Sequence, residues 1–306
     1  MAVYEHSYRR YEGRLMPAWS RFLIIPRYAY QDVFRSKLFV AFFGACFIWP
    51  LVSAILIYLH HNTNAIALLQ VDVKSLVPID ASFFQTYVSA QGTFAFFLNL
   101  LIGPPLISRD LANNGLPLYL CRPFSRVEYV LGKMSVLLIL LSLITWVPGL
   151  LLYLFQAYLE GAGWFASNLR IAGAIFLGSL VWLVLLALLS LAISTLVKWR
   201  VVASAVLLGL FFIPAIFGAV VNENFNTRIG NLMSLSALRE NIQAGLFGTF
   251  KREVRDVQER RGGRVVREVL MTEPPLWSSW LMLAIVCAVC LLLLARKVRA
   301  YEVIKS

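Results

Sequence analysis

Six uninterrupted apolar runs, at residues 38–59, 84–107, 134–155, 171–196, 201–221 and 277–295, constrain this chain more than any other feature. Each is long enough to cross a hydrocarbon core of about 30 Å as a helix, which takes roughly 20 residues. They are rich in Leu, Ile, Phe, Val and Ala and do not alternate with period two, so helices are expected and not an outer-membrane barrel. With 59% hydrophobic residues, 14% charged residues and a mean hydropathy of +0.73 over 306 residues, the chain reads as an all-α integral membrane protein. A secretory signal would begin much nearer Met1 than residue 38, so the first run is expected to remain as a span.

Orientation follows from Lys and Arg in the loops. Seven precede Leu38, four lie at 109–133, two are Lys198 and Arg200, and four follow Ala295, so seventeen of the 28 fall on the N-terminal side. The two short loops on the other side hold one each, Lys74 and Arg170. This places both termini in the cytoplasm of a cell whose plasma, or bacterial inner, membrane holds the chain. The segment 222–275 carries the other nine and disagrees, but a loop of that length crosses with little regard to charge. The net charge of +12 then belongs to the membrane surface and its anionic lipids, not to nucleic acid. Cys46, Cys287 and Cys290 fall in expected spans and Cys121 in a cytoplasmic loop, which suits filler and not a disulfide framework.

The runs divide the chain into a tail with an amphipathic segment (1–37), five spans (38–221), an extracytoplasmic loop (222–275), and a sixth span with a basic tail (276–306). Between Pro17 and Lys37, Tyr30, Val33 and Phe34 oppose Arg27, Gln31 and Arg35, the pattern of an interfacial helix broken at Pro26. In the large loop, Leu238, Ile242, Leu246 and Phe250 are spaced for a short helix resting on the outer membrane surface. The charged stretch from Lys251 to Glu268 turns at Gly262-Gly263, as a hairpin or an open excursion.

The segment 107–133 is the one well-patterned polar linker. Pro104 and Pro105 remove two backbone donors, so the second span is expected to turn there. A short surface helix from Leu106 to Asn114 is expected next, stopped by Gly115 after Asn113 and Asn114. Ser125 and Glu128 form a capping box for the third span, with Phe124 and Tyr129 as its staple. Local chemistry therefore specifies a rigid docking surface for a soluble partner.

The six runs contain no Asp, Glu, Lys, Arg or His, which disfavours a proton-coupled carrier. The chain has no Gly-x-x-x-x-Gly-Lys-Ser/Thr loop, since Gly132-Lys133 lacks the preceding glycine and is followed by Met134. His60-His61 has no third ligand nearby, so neither a catalytic nor a metal site is assigned. The mild polarity that remains lies in span two: Gln85, Ser89 and Asn99 on one stripe with Gly92, and Gln91 beside them. Such a stripe serves helix packing or a substrate path or dimer interface, and Pro214 adds a break in span five.

The linker resembles that of permeases in ATP-binding-cassette exporters of the second type. Their acidic residue, Gly-x-Leu, Pro-x-Ser-Arg and Gly-Lys find counterparts in Asp110, Gly115 with Leu116 and Leu118, Pro123 with Ser125-Arg126, and Gly132-Lys133. Asp110 stands where Glu is usual, and the long basic outer loop departs from the simplest members. The resemblance implies six spans, a cytoplasmic coupling helix between spans two and three, and a large loop between spans five and six. It implies that Ser108, Arg109, Asp110, Leu111, Asn113, Asn114 and Gly115 contact an ATPase subunit. Pro104, Pro105, Pro123, Ser125, Arg126, Glu128, Gly132 and Lys133 would shape the loop. ATP and magnesium would be bound by that partner, this chain holding no cofactor, and a second permease, identical or homologous, would complete the assembly. The outer loop would be open to an extracytoplasmic partner. A scaffold anchoring an ATPase to an outer assembly, or a secondary carrier, are the competing readings.

Overall fold

A computed structural model describes residues 24–62, 78–112, 126–197, 199–225, 228–250, 252–258, 265–271 and 274–297. The helices are α1 (Ile24–Phe34), α2 (Lys37–Ala45), α3 (Ile48–His61), α4 (Ala81–Ala112), α5 (Arg126–Ile144), α6 (Trp146–Glu160), α7 (Ala162–Ser167), α8 (Leu169–Leu196), α9 (Arg200–Phe225), α10 (Leu235–Phe247) and α11 (Leu276–Lys297). Six helical segments are long and apolar enough to cross a membrane, matching the six runs: α2 with α3, α4, α5 with α6, α8, α9 and α11. We call the end where span one begins the entry face and the opposite end the loop face.

Span four is the axis of the bundle. Of its most apolar stretch 72% is buried, against 22% or less for spans one, five and six, whose Leu, Ile, Val and Phe side chains point outward as a lipid-facing helix requires. Its main neighbours are spans two, three and six. Ser36 caps α2 by accepting from Phe39 N at 3.4 Å. Asp80 starts α4, its Oδ1 accepting from Ser82 N at 2.9 Å and Phe83 N at 3.1 Å. Helix α1 runs through Pro26 without a break among the described residues. Ala29, Tyr30 and Val33 pack on the core while Arg27 and Tyr28 are exposed, and Phe34, expected on the apolar face, is 47% exposed. Residues 17–23 lie outside the described set.

Two expectations are corrected. The second span does not turn at Pro104-Pro105, since α4 continues to Ala112. A proline at position i deprives the carbonyl of i−4 of its partner, and neighbouring spans resupply it. Ser204 of span five donates to Leu100 O at 3.1 Å, the carbonyl Pro104 leaves open. Pro50 likewise opens Cys46 O at the joint between α2 and α3, and Gln91 Nε2 of span two donates to it at 3.1 Å. Second, α10 does not rest on the surface. It packs among spans two, four, five and six, with Leu238, Arg239, Asn241, Ile242 and Gln243 all buried.

The α10 wedge is held at both ends. Ser234 accepts from Ala237 N at 3.3 Å at its start. Gly248, at φ 77°, closes its end, where Arg170 donates to Leu246 O and Gly245 O, each at 3.0 Å. A cation on the last carbonyls also complements the helix dipole. Beyond α10, β1 (Arg252–Gln258) and β2 (Val265–Met271) form an antiparallel hairpin, Val254 opposite Val269. Of the two forms expected for this stretch, the hairpin is the one present. Its turn lies outside the described residues.

Candidate functional site

At the entry face, the end of α4 is clamped to the start of span three. Lys133 Nζ lies 3.0 Å from Asp110 Oδ2, and Tyr129 donates its hydroxyl to the same oxygen at 2.6 Å. The ammonium also sits 5.7 Å from the centre of the Tyr129 ring. Both charged side chains are largely withdrawn from solvent, 9% exposed for Lys133 and 17% for Asp110, so each depends on the other. One turn earlier, Ser108 is buried and donates to Pro104 O at 2.7 Å, an oxygen that also accepts from Ser194 of span four at 2.7 Å. Asp110 and Ser108, assigned from sequence to the ATPase surface, thus face the bundle. The side chains of Arg109, Leu111 and Arg126, and all of Asn113, Asn114, Gly115, Leu116, Leu118, Pro123 and Ser125, lie outside the described set. Glu128 is exposed on the first turn of span three.

The polar stripe of span two is brought together with α10 and span four. Gln85 Oε1 accepts a hydrogen bond from Thr249 Oγ1, just past α10. Ser89 Oγ accepts from Arg239 Nη2 at 3.1 Å, and the Arg239 guanidinium carbon lies 4.7 Å from the centre of the Trp182 ring. Trp182 Nε1 in turn donates to Gly92 O at 2.9 Å, and its ring meets Phe211 of span five at 5.5 Å. Gly92 makes this approach possible, because a Cβ there would lie 2.7 Å from Arg239 Nη1 and 3.2 Å from Trp182 Nε1. Further down, Asn99 Nδ2 donates to Leu186 O at 3.3 Å, and Gly103 lets Ser190 come so close that a Cβ would lie 2.6 Å from it. Gln91 and Asn99 are fully buried, so within one chain they are helix-packing groups. Pro214 instead lines an apolar cavity of about 410 Å³ between spans four, five and six.

Arg239 is the functional candidate that sequence reading missed. It is 7% exposed and reaches Ser89, eight residues or about 12 Å inside the start of span two. Burial pushes its guanidinium pKa down, partly offset by exposed Glu240 next to it, yet an arginine keeps its proton under such conditions. No carboxylate pairs with it among the described residues, and its Nε has no acceptor. A buried cation held by a ring face and one hydroxyl is a strained charge, of the kind kept at sites that change state. The six apolar runs carry no charge of their own, and this charge arrives from the loop between spans five and six. The signal lay in polar Arg239, Asn241 and Gln243 interleaved with Leu238 and Ile242, a helix polar on both sides of its apolar face.

No curated protein matches the chain. A family model described as ABC-2 family transporter protein matches residues 30–302, nearly the whole length and all six spans. Permeases of that family are in general transmembrane subunits without enzymatic activity that work with an ATP-binding-cassette ATPase. Six spans, the linker motif between spans two and three, and the match over 30–302 establish that this chain belongs to the ABC-2 family of membrane transport proteins, as a permease.

Proposed function

We propose that the chain is the transmembrane subunit of an exporter whose entry face is cytoplasmic, and that a separate ATPase docks at the end of α4 and the segment that follows. Two ATPases and two permeases, identical or homologous, make the working unit, in the plasma membrane with both termini in the cytoplasm. Arg109, Leu111, Asn113, Asn114 and Gly115 are assigned to the ATPase surface, while Asp110 and Ser108 transmit its motion inward.

The observation that carries this reading is the continuity of α4. One helix of 32 residues runs from the linker, where Asp110 ties it to Lys133, to the polar stripe, where Ser89 meets Arg239. A push on its linker end shifts the stripe against span four and the α10 wedge. Nucleotide in the partner then biases a two-state bundle, and substrate leaves as the wedge yields.

The test is purification of the tagged chain in mild detergent, followed by reconstitution with the ATPase subunit that accompanies it. An ATP-binding-cassette subunit at about one per chain, with ATP-dependent transport, is the expected result. Reproducible absence of that subunit from folded chain would overturn the assignment and favour a carrier.

A further inference from the structure

A cavity of about 460 Å³ opens at the entry face between α1, the start of span one, the last third of α4 and the start of span five. Its polar lining is Asp32, Ser36, Asp110, Lys133, Arg200 and Ser204. Its apolar lining includes Leu38, Leu101 and Val201, which are 64%, 40% and 71% exposed on the outer surface of the bundle. The cavity therefore combines charged and polar groups with apolar side chains that reach the outer surface of the bundle.

Its charge balance is specific. Asp110 is paired with Lys133 at 3.0 Å, and Asp32 lies 3.8 Å from Arg35. Two carboxylates, Asp32 and Asp110, and two cations, Lys133 and Arg200, line the cavity, and of the cations Arg200 is the one without a carboxylate partner among the described residues. Ser36 accepts from Phe39 N, which leaves its hydroxyl hydrogen to donate. A guanidinium without a carboxylate partner and a hydroxyl donor lining one cavity suit a phosphate diester, and its surface-exposed apolar lining suits the chains attached to one. We infer that this cavity is a binding site for one phospholipid of the entry-face leaflet, its phosphate at Arg200 and Ser36 and its chains leaving past Leu101 and Val201. The inference goes beyond the exporter reading and does not depend on it.

Position gives the site a role. Asp110 is both a wall of the cavity and the end of the clamp on α4, and α1 supplies the opposite wall. A lipid held there would bridge α1 and the end of α4.

The experiment is native mass spectrometry of the full chain, delipidated in detergent and titrated with dioleoyl phosphatidylglycerol. One tightly held lipid per chain is expected, weakened about tenfold by Arg200→Gln, as loss of one charge-assisted contact implies. Arg296→Gln, which alters a cation in the last turn of span six away from the cavity, is expected to leave binding unchanged. Equal losses in the two variants would reduce the effect to general attraction to a cationic surface and overturn the site. Dioleoylglycerol, which lacks phosphate, and glycerophosphoglycerol, which lacks chains, are each expected to compete poorly. Full competition by either one would overturn the phospholipid assignment. Arg200 is exposed, so its replacement leaves the fold intact, and unchanged thermal unfolding of the variant is the accompanying control.

Discussion

Lys133 and Asp110 are a pair that neither partner survives losing. Asp110→Ala would leave a 9% exposed ammonium with only the Tyr129 ring for company, at a cost of about 3 kcal/mol, since Asp110 keeps some contact with solvent. The measurement is thermal unfolding in detergent, and Asp110→Leu combined with Lys133→Met should recover most of the loss by removing both charges. If the double variant were as unstable as the single one, burial of the lone lysine would not be the cause. Gly218 and Gly230 make a comparable demand on space. A Cβ on Gly218 would lie 2.3 Å from Gly230 O, and one on Gly230 would lie 2.1 Å from Gly218 O, so no side-chain motion relieves either. Gly218→Ala should cost about 3 kcal/mol, the upper end for overpacking, and detach the turn at Ile229–Leu232 from span five.

Proline is tolerated in these spans because neighbouring elements accept the debt of a missing donor. Ser204→Ala exposes Leu100 O to an apolar interior and should destabilise by about 1 kcal/mol. Pro104→Ala restores an N–H to that carbonyl, so Ser204→Ala should cost nearly nothing in its presence. A double-mutant cycle on unfolding midpoints reads the coupling directly, and strictly additive losses would show that Ser204 does not serve the proline. The same logic joins Gln91 to Pro50 through Cys46 O. It also separates what was legible in the residues from what was not. Pro104-Pro105 marks a weak point in any helix read alone, and the sequence reading placed a turn there for sound local reasons. Ser204 lies 104 residues from Leu100, and only folding brings it to that carbonyl.

At the scale of the molecule, the proposed mechanism makes α4 the lever and the α10 wedge the load. Arg239→Gln removes a desolvated cation from the Trp182 face, worth about 2 kcal/mol, and should loosen α10 from span four. Hydrogen exchange of Leu235–Phe247 should rise while that of span four stays slow, and equal protection in both proteins would refute a latch at Arg239. Asp110→Ala acts at the other end. In the reconstituted exporter it should leave ATP hydrolysis by the partner largely intact and lower transport several-fold, because the push no longer reaches the stripe. Transport that survives in proportion to hydrolysis would remove Asp110 from the path.

Six spans, a helix in the large loop and the family motif in the linker were readable from the residues in order, with the hairpin as one of two forms open to the charged stretch. They follow from hydrophobic run length and from caps that act over three or four positions, which a linear chain carries in full. Where α10 goes, why α4 survives two prolines, which way Asp110 faces and where an unpaired arginine enters an uncharged set of spans were not readable that way. Each depends on a partner some twenty to one hundred and fifty residues distant, and the pairing free energy of such groups exists only once packing has excluded water from around them.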